Sequence, residues 1–275
     1  MPISLDRFSF STVAMGGDLE HKLEAIRGAG FGSVELWASD LLKHPGGAHA
    51  AAQAVKDSGL KVGSFQMLRD FDSGPREARA QKIEVAKNLM QIMQSVDARL
   101  LRVSATTSPF STDNIDQAAE DLATLATLAI PLGMKIGFEA LPNAMWIRDY
   151  AQAWEVVQRA NCPNLGVVVN AFHVFVRKSP LDALRQIPVE KIALVPLADF
   201  VMDFEHPAEV LQHQRVFPGE GSQRFGELLK LLEGQGYRGD YAFEVLNDGY
   251  GNAKPSFVAE RGRTSVDWLN AQTTA

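Results

Sequence analysis

A single (β/α)8 barrel of the TIM-barrel type is the fold class that this sequence predicts. Three observations carry it. Short apolar runs alternate with longer amphipathic segments eight times along the 275 residues. No Pro/Gly/Ser-rich linker interrupts the alternation, so residues 1–275 are expected to form one domain. The turn after the first run, "AMGGDLE", lacks the G-x-G-x-x-G pattern that an open dinucleotide-binding sheet would want there.

The elements follow in order. "FSFSTVAM" predicts the first strand, and "LEHKLEAIRGAG" a helix with apolar residues at helical spacing and a glycine stop. "SVELWA" is the second strand, followed by the helix "AHAAAQAVKDSG"; "KVGSFQML" is the third, followed by a long helix from about Pro75 to Val96. "RLLRVSA" is the fourth strand, with a helix across "NIDQAAEDLATLATLAIPLG"; "MKIGFEAL" is the fifth, with "RDYAQAWEVVQRAN" behind it. "LGVVVNAF" is the sixth, then a short helix near "PLDALRQI"; "KIALVPLADF" is the seventh, and after a long loop comes "RFGELLKLLEGQG". "YAFEVL" is the eighth strand, and "KPSFVAERGRTSVDWLN" closes the chain as a helix.

Composition removes several function classes. The chain is 46% hydrophobic and 22% charged with a net charge of -6, and it contains no basic block, so nucleic-acid binding has no electrostatic footprint. No run approaches ~20 apolar residues, so no membrane span is expected. The start "MPISLDRFSF" lacks the pattern of a signal peptide, and the single cysteine, Cys162, fits a reducing compartment; a cytoplasmic protein is the expectation. A small-molecule substrate is the expected partner, and association of copies through the helices stays open.

Active-site residues of such barrels lie at the C-terminal ends of the strands. That rule selects Glu35, with Trp37 beside it, after the second strand, and Gln66, Arg69 and Asp70 after the third. It selects Glu139 after the fifth, Asn170 and His173 after the sixth, Pro196 and Asp199 on the seventh, and Glu244 after the eighth. Several carboxylates at one mouth are costly unless a cation or proton offsets them. Plainer readings stand beside these. Arg69 could pair with Asp70 or Asp72 at the surface, His173 could be a satisfied structural histidine, and Asp199 and Asp248 read as loop caps. Arg215 and Glu220, around "FPGEG", are expected to pair and shape the rim. Trp37, Trp146, Phe172, Val174 and Phe175 make the mouth more apolar than one built for a sugar phosphate.

Taken together, "KLEAIRGAGFGSVELWASDLL", "FQMLRDFDSGP", "IGFEAL", "AFHVF", "VFPGEG" and "EVLNDGY" resemble the sugar phosphate isomerase/epimerase-like barrels, also called xylose-isomerase-like. Within that superfamily the sequence is most similar to the bacterial 3-dehydroshikimate dehydratase branch. The resemblance implies one divalent metal, held by residues at the ends of strands five to eight. Glu139 and Glu244 match the first and last of these. Asn170 stands where the family has Asp, and Pro196 where it has His or Gln. A proline offers no side-chain donor, and an amide oxygen is a poorer ligand for a hard cation than a carboxylate. The expected cofactor is therefore none, or one weakly held divalent ion (manganese, cobalt or magnesium).

The family's chemistry, proton abstraction next to a carbonyl, gives the leading expectation: a dehydratase-type lyase or an isomerase acting on a small, fairly apolar or cyclic compound. Glu139 and Glu244 would be acid/base groups, His173 a proton carrier and Arg69 an anion-stabilising clamp. Glu35, Trp37, Gln66, Trp146, Asn170, Phe175, Arg215 and Glu220 would contact the substrate. One alternative is a metal-dependent 3-dehydroshikimate dehydratase or sugar isomerase/epimerase in which water or Asp199 replaces the missing ligand. Another is a barrel that binds a ligand without turning it over.

Overall fold

A computed structural model describes residues 2–201 and 212–274. Its strands follow one another as a closed parallel barrel in the order β1 to β8, with β1 at Phe8–Ser11, β2 at Ser33–Trp37, β3 at Lys61–Leu68, β4 at Leu100–Ser104, β5 at Lys135–Glu139, β6 at Leu165–Val168, β7 at Ile192–Leu197 and β8 at Tyr241–Phe243. β1, β4, β6 and β8 are buried at every residue. Burial at every residue is what strands covered on both faces show.

The chain divides into two compact units. The first comprises residues 1–63 and 195–275. Among the described residues its α-helices are α1 (Leu19–Gly28), α2 (Ala38–Leu42), α3 (Gly47–Asp57), α8 (Phe225–Gly234), α9 (Asp248–Gly251) and α10 (Pro255–Thr274). β1 pairs with β2 so that Ser11 faces Glu35, and with β8 so that Phe10 faces Phe243. The centre of this unit is aromatic. Phe10, Phe31, Phe217 and Phe243 meet at centroid distances of 5.4 to 6.0 Å, mostly edge-on or tilted, the geometries that ring quadrupoles favour.

α10 can lie against that cluster because Gly262 has no side chain: a Cβ there would run into the Phe10 ring. Gly262→Ala is therefore expected to destabilise the protein by about 1–3 kcal/mol through overpacking. A lowered urea midpoint at unchanged slope would register it, and an unchanged midpoint would mean that the helix shifts freely.

The second unit comprises residues 64–194. It carries α4 (Arg79–Ser95), α5 (Ile115–Ala129), α6 (Tyr150–Ala160) and α7 (Ala171–Arg177). Its strands run in register from Leu68 opposite Val103 and Ser104 opposite Glu139 to Glu139 opposite Val168. Helix starts follow local chemistry. Asn114 caps α5 by accepting from the Asp116 and Gln117 amides, and Asp149 with Gln152 forms a reciprocal capping box on α6.

The predicted boundaries shift where such chemistry intervenes. α5 ends at Ala129, because Pro131 lies in a 3₁₀ turn (Ile130–Leu132) that Gly133 closes at φ 63°. The long helix expected from Pro75 begins with a 3₁₀ turn at Arg76–Ala78 before α4. The sixth strand, expected to run through Phe172, stops at Val168, and residues 171–177 form α7 instead. The segment near "PLDALRQI" is a 3₁₀ helix, Leu181–Gln186.

Candidate functional site

In the second unit four polar side chains gather on adjacent strands. β4 carries Arg102, β5 ends on Glu139, Asn170 lies two residues past β6, and His173 sits in the first turn of α7. Register pairs Arg102 with Gly137 and Ser104 with Glu139, so Arg102 and Glu139 share one face two residues apart. The guanidinium Nη2 donates to Glu139 Oε2 at 2.6 Å. Asn170 Nδ2 donates to Glu139 Oε1 at 2.9 Å, and His173 Nδ1 stands 3.4 Å from the same oxygen. Arg102 is 0%, Glu139 1%, Asn170 3% and His173 8% exposed, so these charges act with little screening by water.

Asn170 explains its own identity. It is the N-cap of α7, where its carbonyl oxygen accepts from the Phe172 amide at 3.1 Å while its amide group donates to Glu139. An aspartate could cap equally well, but it could not donate, and it would set a second anion against Glu139. His173 Nδ1 faces two acceptors, the Ala140 carbonyl at 3.1 Å and Glu139. Acceptors on that side place the ring proton on Nδ1, which makes Nε2 the basic nitrogen of the neutral imidazole.

Gln66 is buried on β3, whereas Arg69 is exposed in the following loop. Asp70, at φ 52°, accepts from Thr106 Oγ1 at 3.0 Å and the Thr107 amide at 2.8 Å, fastening the loop after β3 to the one after β4. Trp146 is exposed and donates to Ser111 Oγ, and Phe175 is half-buried on α7.

In the first unit Glu35 is fully buried on β2, and Trp37 after it is exposed. Glu244, one residue past β8, is 4% exposed and accepts from Arg215 Nη1 at 3.1 Å. This corrects the expected Arg215–Glu220 pair. Glu220 instead accepts from the Tyr250 hydroxyl at 2.6 Å and pairs with Arg261 at 2.7 Å. Burial, helped by Glu220, pushes the Tyr250 hydroxyl up to about 12, so it stays a donor. Asp199 is the loop anchor that the sequence suggested. Its carboxyl accepts from the amides of Phe200, Gly219, Gly221 and Gln223, and burial holds it above the usual carboxylate range. Asp248, at the start of α9, pairs with His213 at 2.9 Å near the surface.

These donors do not fit a divalent cation. Glu139 already accepts from Arg102 and Asn170, the Asn170 oxygen is committed to the α7 amide, Pro196 has no donor, and Asp199 is wrapped by backbone amides. Among the described residues, no group of three His, Cys, Asp or Glu side chains is placed to hold a metal ion.

Sequence reasoning missed Arg102. The signal was an arginine in the middle of the otherwise apolar run "LLRVS", where a charge needs a buried partner.

It also offered Asp72 only as a surface partner for Arg69, whereas Asp72 is fully buried in the loop after β3. Burial raises the Asp72 carboxyl from the ordinary 3.8 to about 7, against hydrogen bonds to its own amide, Ser73 and Thr106 and the pull of Lys82. Below about pH 4 the folded and unfolded chains both hold this proton. Between about pH 4 and 7 only the folded chain does, so stability falls as pH rises and then levels off. At about 1.4 kcal/mol per pH unit, the loss is ~4 kcal/mol. Asp72→Asn lacks this slope, so thermal melts at pH 5 and 8 should show the variant gaining on the wild type at the higher pH. Parallel curves would contradict it.

Comparison with known proteins places this chain among relatives. The family model described as "Xylose isomerase-like TIM barrel" matches residues 23–272. A 3-dehydroshikimate dehydratase of Pseudomonas putida is 33% identical over 265 residues, covering 96% of this chain and 42% of the relative. The chain thus spans less than half the length of that protein. A solved xylose isomerase-like TIM barrel/4-hydroxyphenylpyruvate dioxygenase fusion protein superposes with a TM-score of 0.93 at 32% identity, over 97% of this chain and 43% of that one. The IolI protein, solved with a bound zinc atom, superposes at 0.85 with 20% identity over 96% and 98% of the two chains, a likeness of fold. No helix among the described residues is long and apolar enough to cross a membrane.

Proposed function

Because the chain belongs to the xylose isomerase-like TIM-barrel family, we propose that it is an enzyme, a dehydratase-type lyase or an isomerase, with residues 1–275 as one barrel domain. It abstracts a proton next to the carbonyl of a small, fairly apolar or cyclic compound. The observation that carries this reading is the buried Glu139–His173 arrangement, in which Nδ1 of the imidazole faces a carboxylate and a carbonyl. That is the geometry of a general base held in one tautomer.

In this reading His173 Nε2 takes the proton, and the C–H electron pair passes into the enolate. Glu139 steadies the imidazolium that forms. On an α-hydroxy carbonyl compound, the hydroxyl proton passes to the enolate oxygen and the abstracted proton returns at the former carbonyl carbon as the α-carbon becomes the carbonyl, giving isomerisation. Otherwise the proton goes to a departing hydroxyl as the C–O bond breaks and the C=C bond and carbonyl re-form, giving dehydration. Arg69, exposed after β3, is proposed as the clamp for the enolate oxygen. Gln66, Trp146, Asn170 and Phe175 are proposed as substrate contacts in the second unit, and Glu35, Trp37, Arg215 and Glu220 in the first. Glu244, held by Arg215, is proposed as a further acid/base group. No step passes through a metal, because the donor set does not fit one.

The first compound to test is 3-dehydroshikimate, since relatives of that activity are 33% identical. His173→Ala and Glu139→Gln should each abolish most of the turnover, and unchanged turnover in both would overturn the reading. Cytoplasmic location and association of copies belong to the proposal alone.

A further inference from the structure

The four-residue cluster raises the question of what balances Glu139. A carboxylate that is 1% exposed needs a positive partner, and here that partner is covalently part of the chain. Arg102 Nη2 lies 2.6 Å from Glu139 Oε2, a charge-assisted bond between two side chains with no more than 1% exposure. Asn170 completes the exchange by turning its amide group, not its oxygen, toward the carboxylate. In place of the four-ligand pattern that the family resemblance implies, this chain has a guanidinium on β4 and an amide donor after β6.

We propose that Arg102 is a built-in counter-ion that takes the place of a divalent metal at Glu139, so that the site is assembled and charge-balanced without one. Arg102 is here a positioning residue, acting through Glu139 on His173. The functional meaning of this inference rests on the proton-transfer reading above, but its test does not.

The protein is stripped with chelator, dialysed against manganese and assayed for metal by elemental mass spectrometry. Its thermal midpoint is measured with and without millimolar manganese, alongside Arg102→Lys, Arg102→Met and the double variant Arg102→Met/Glu139→Gln. Wild type and Arg102→Lys should retain far less than about one equivalent and show the same midpoint with and without the ion. Arg102→Met, which removes the Arg102–Glu139 ion pair, should be shifted upward by manganese. The double variant, with neither charge, should melt above Arg102→Met and ignore the ion. If Arg102→Met alone does not fold, a folded double variant still supports the proposal. Retention of about one equivalent by the wild type would overturn it, as would a double variant no more stable than Arg102→Met. Failure of the proton-transfer reading would show instead as unchanged turnover in both His173→Ala and Glu139→Gln, with the wild type's metal content still nil.

Discussion

His173→Ala is expected to lower kcat/KM on the test substrate by about 10²–10⁴-fold, the usual contribution of a positioned general base. The loss should fall on kcat with KM little changed, because the imidazole acts on the proton in flight and binds the ground state weakly. His173 is on α7 at 8% exposure, its ring edge-on to Phe172 at 5.8 Å, so the alanine leaves a modest void and the fold should survive. Far-ultraviolet circular dichroism and the urea midpoint check that survival. Glu139→Gln should lower kcat as well, and it also removes the buried Arg102–Glu139 ion pair. A His173→Ala variant turning over at the wild-type rate would leave the histidine a structural residue.

Arg102→Met should destabilise the protein by about 3–5 kcal/mol, the cost of leaving one member of a buried pair uncompensated. Domains have about 5–15 kcal/mol in total, so the variant would lie near the edge of folding. Hydrophobic volume is roughly kept in this change, and the loss is therefore electrostatic. The double variant Arg102→Met/Glu139→Gln separates the two causes: removing both charges should return most of the stability, giving a large coupling energy in a double-mutant cycle. Urea midpoints of the four proteins measure it. A coupling near zero would mean that the arginine matters only for packing.

The fold was legible because its signal is repeated. Eight apolar runs at regular spacing leave few alternatives, and β3 occupies the very residues of "KVGSFQML". The sixth strand was the exception, for a local reason. "VVVNAFHVF" is apolar throughout, so periodicity does not mark where strand becomes helix; the Asn170 cap marks it, and the same atoms make Asn170 part of the cluster. The strand-end rule picked out Glu139, Asn170 and His173, and the structure brings these three side chains together. Arg102 was not at an end, and its role depends on a cross-strand register that one sequence does not display. The Arg215 pairing failed likewise: proximity in sequence suggested Glu220, whereas the chain folds Arg215 back onto Glu244, 29 residues away.

Hydrogen exchange at the carbon next to the carbonyl tests the central claim most directly. The test substrate is incubated with the metal-stripped protein in deuterium oxide, and loss of that proton is followed by NMR for wild type and His173→Ala. The wild-type protein is expected to speed the loss without added metal, and the variant to slow it by about 10²-fold or more. Equal rates in the two proteins, or proton loss that begins only when manganese is restored, would contradict it.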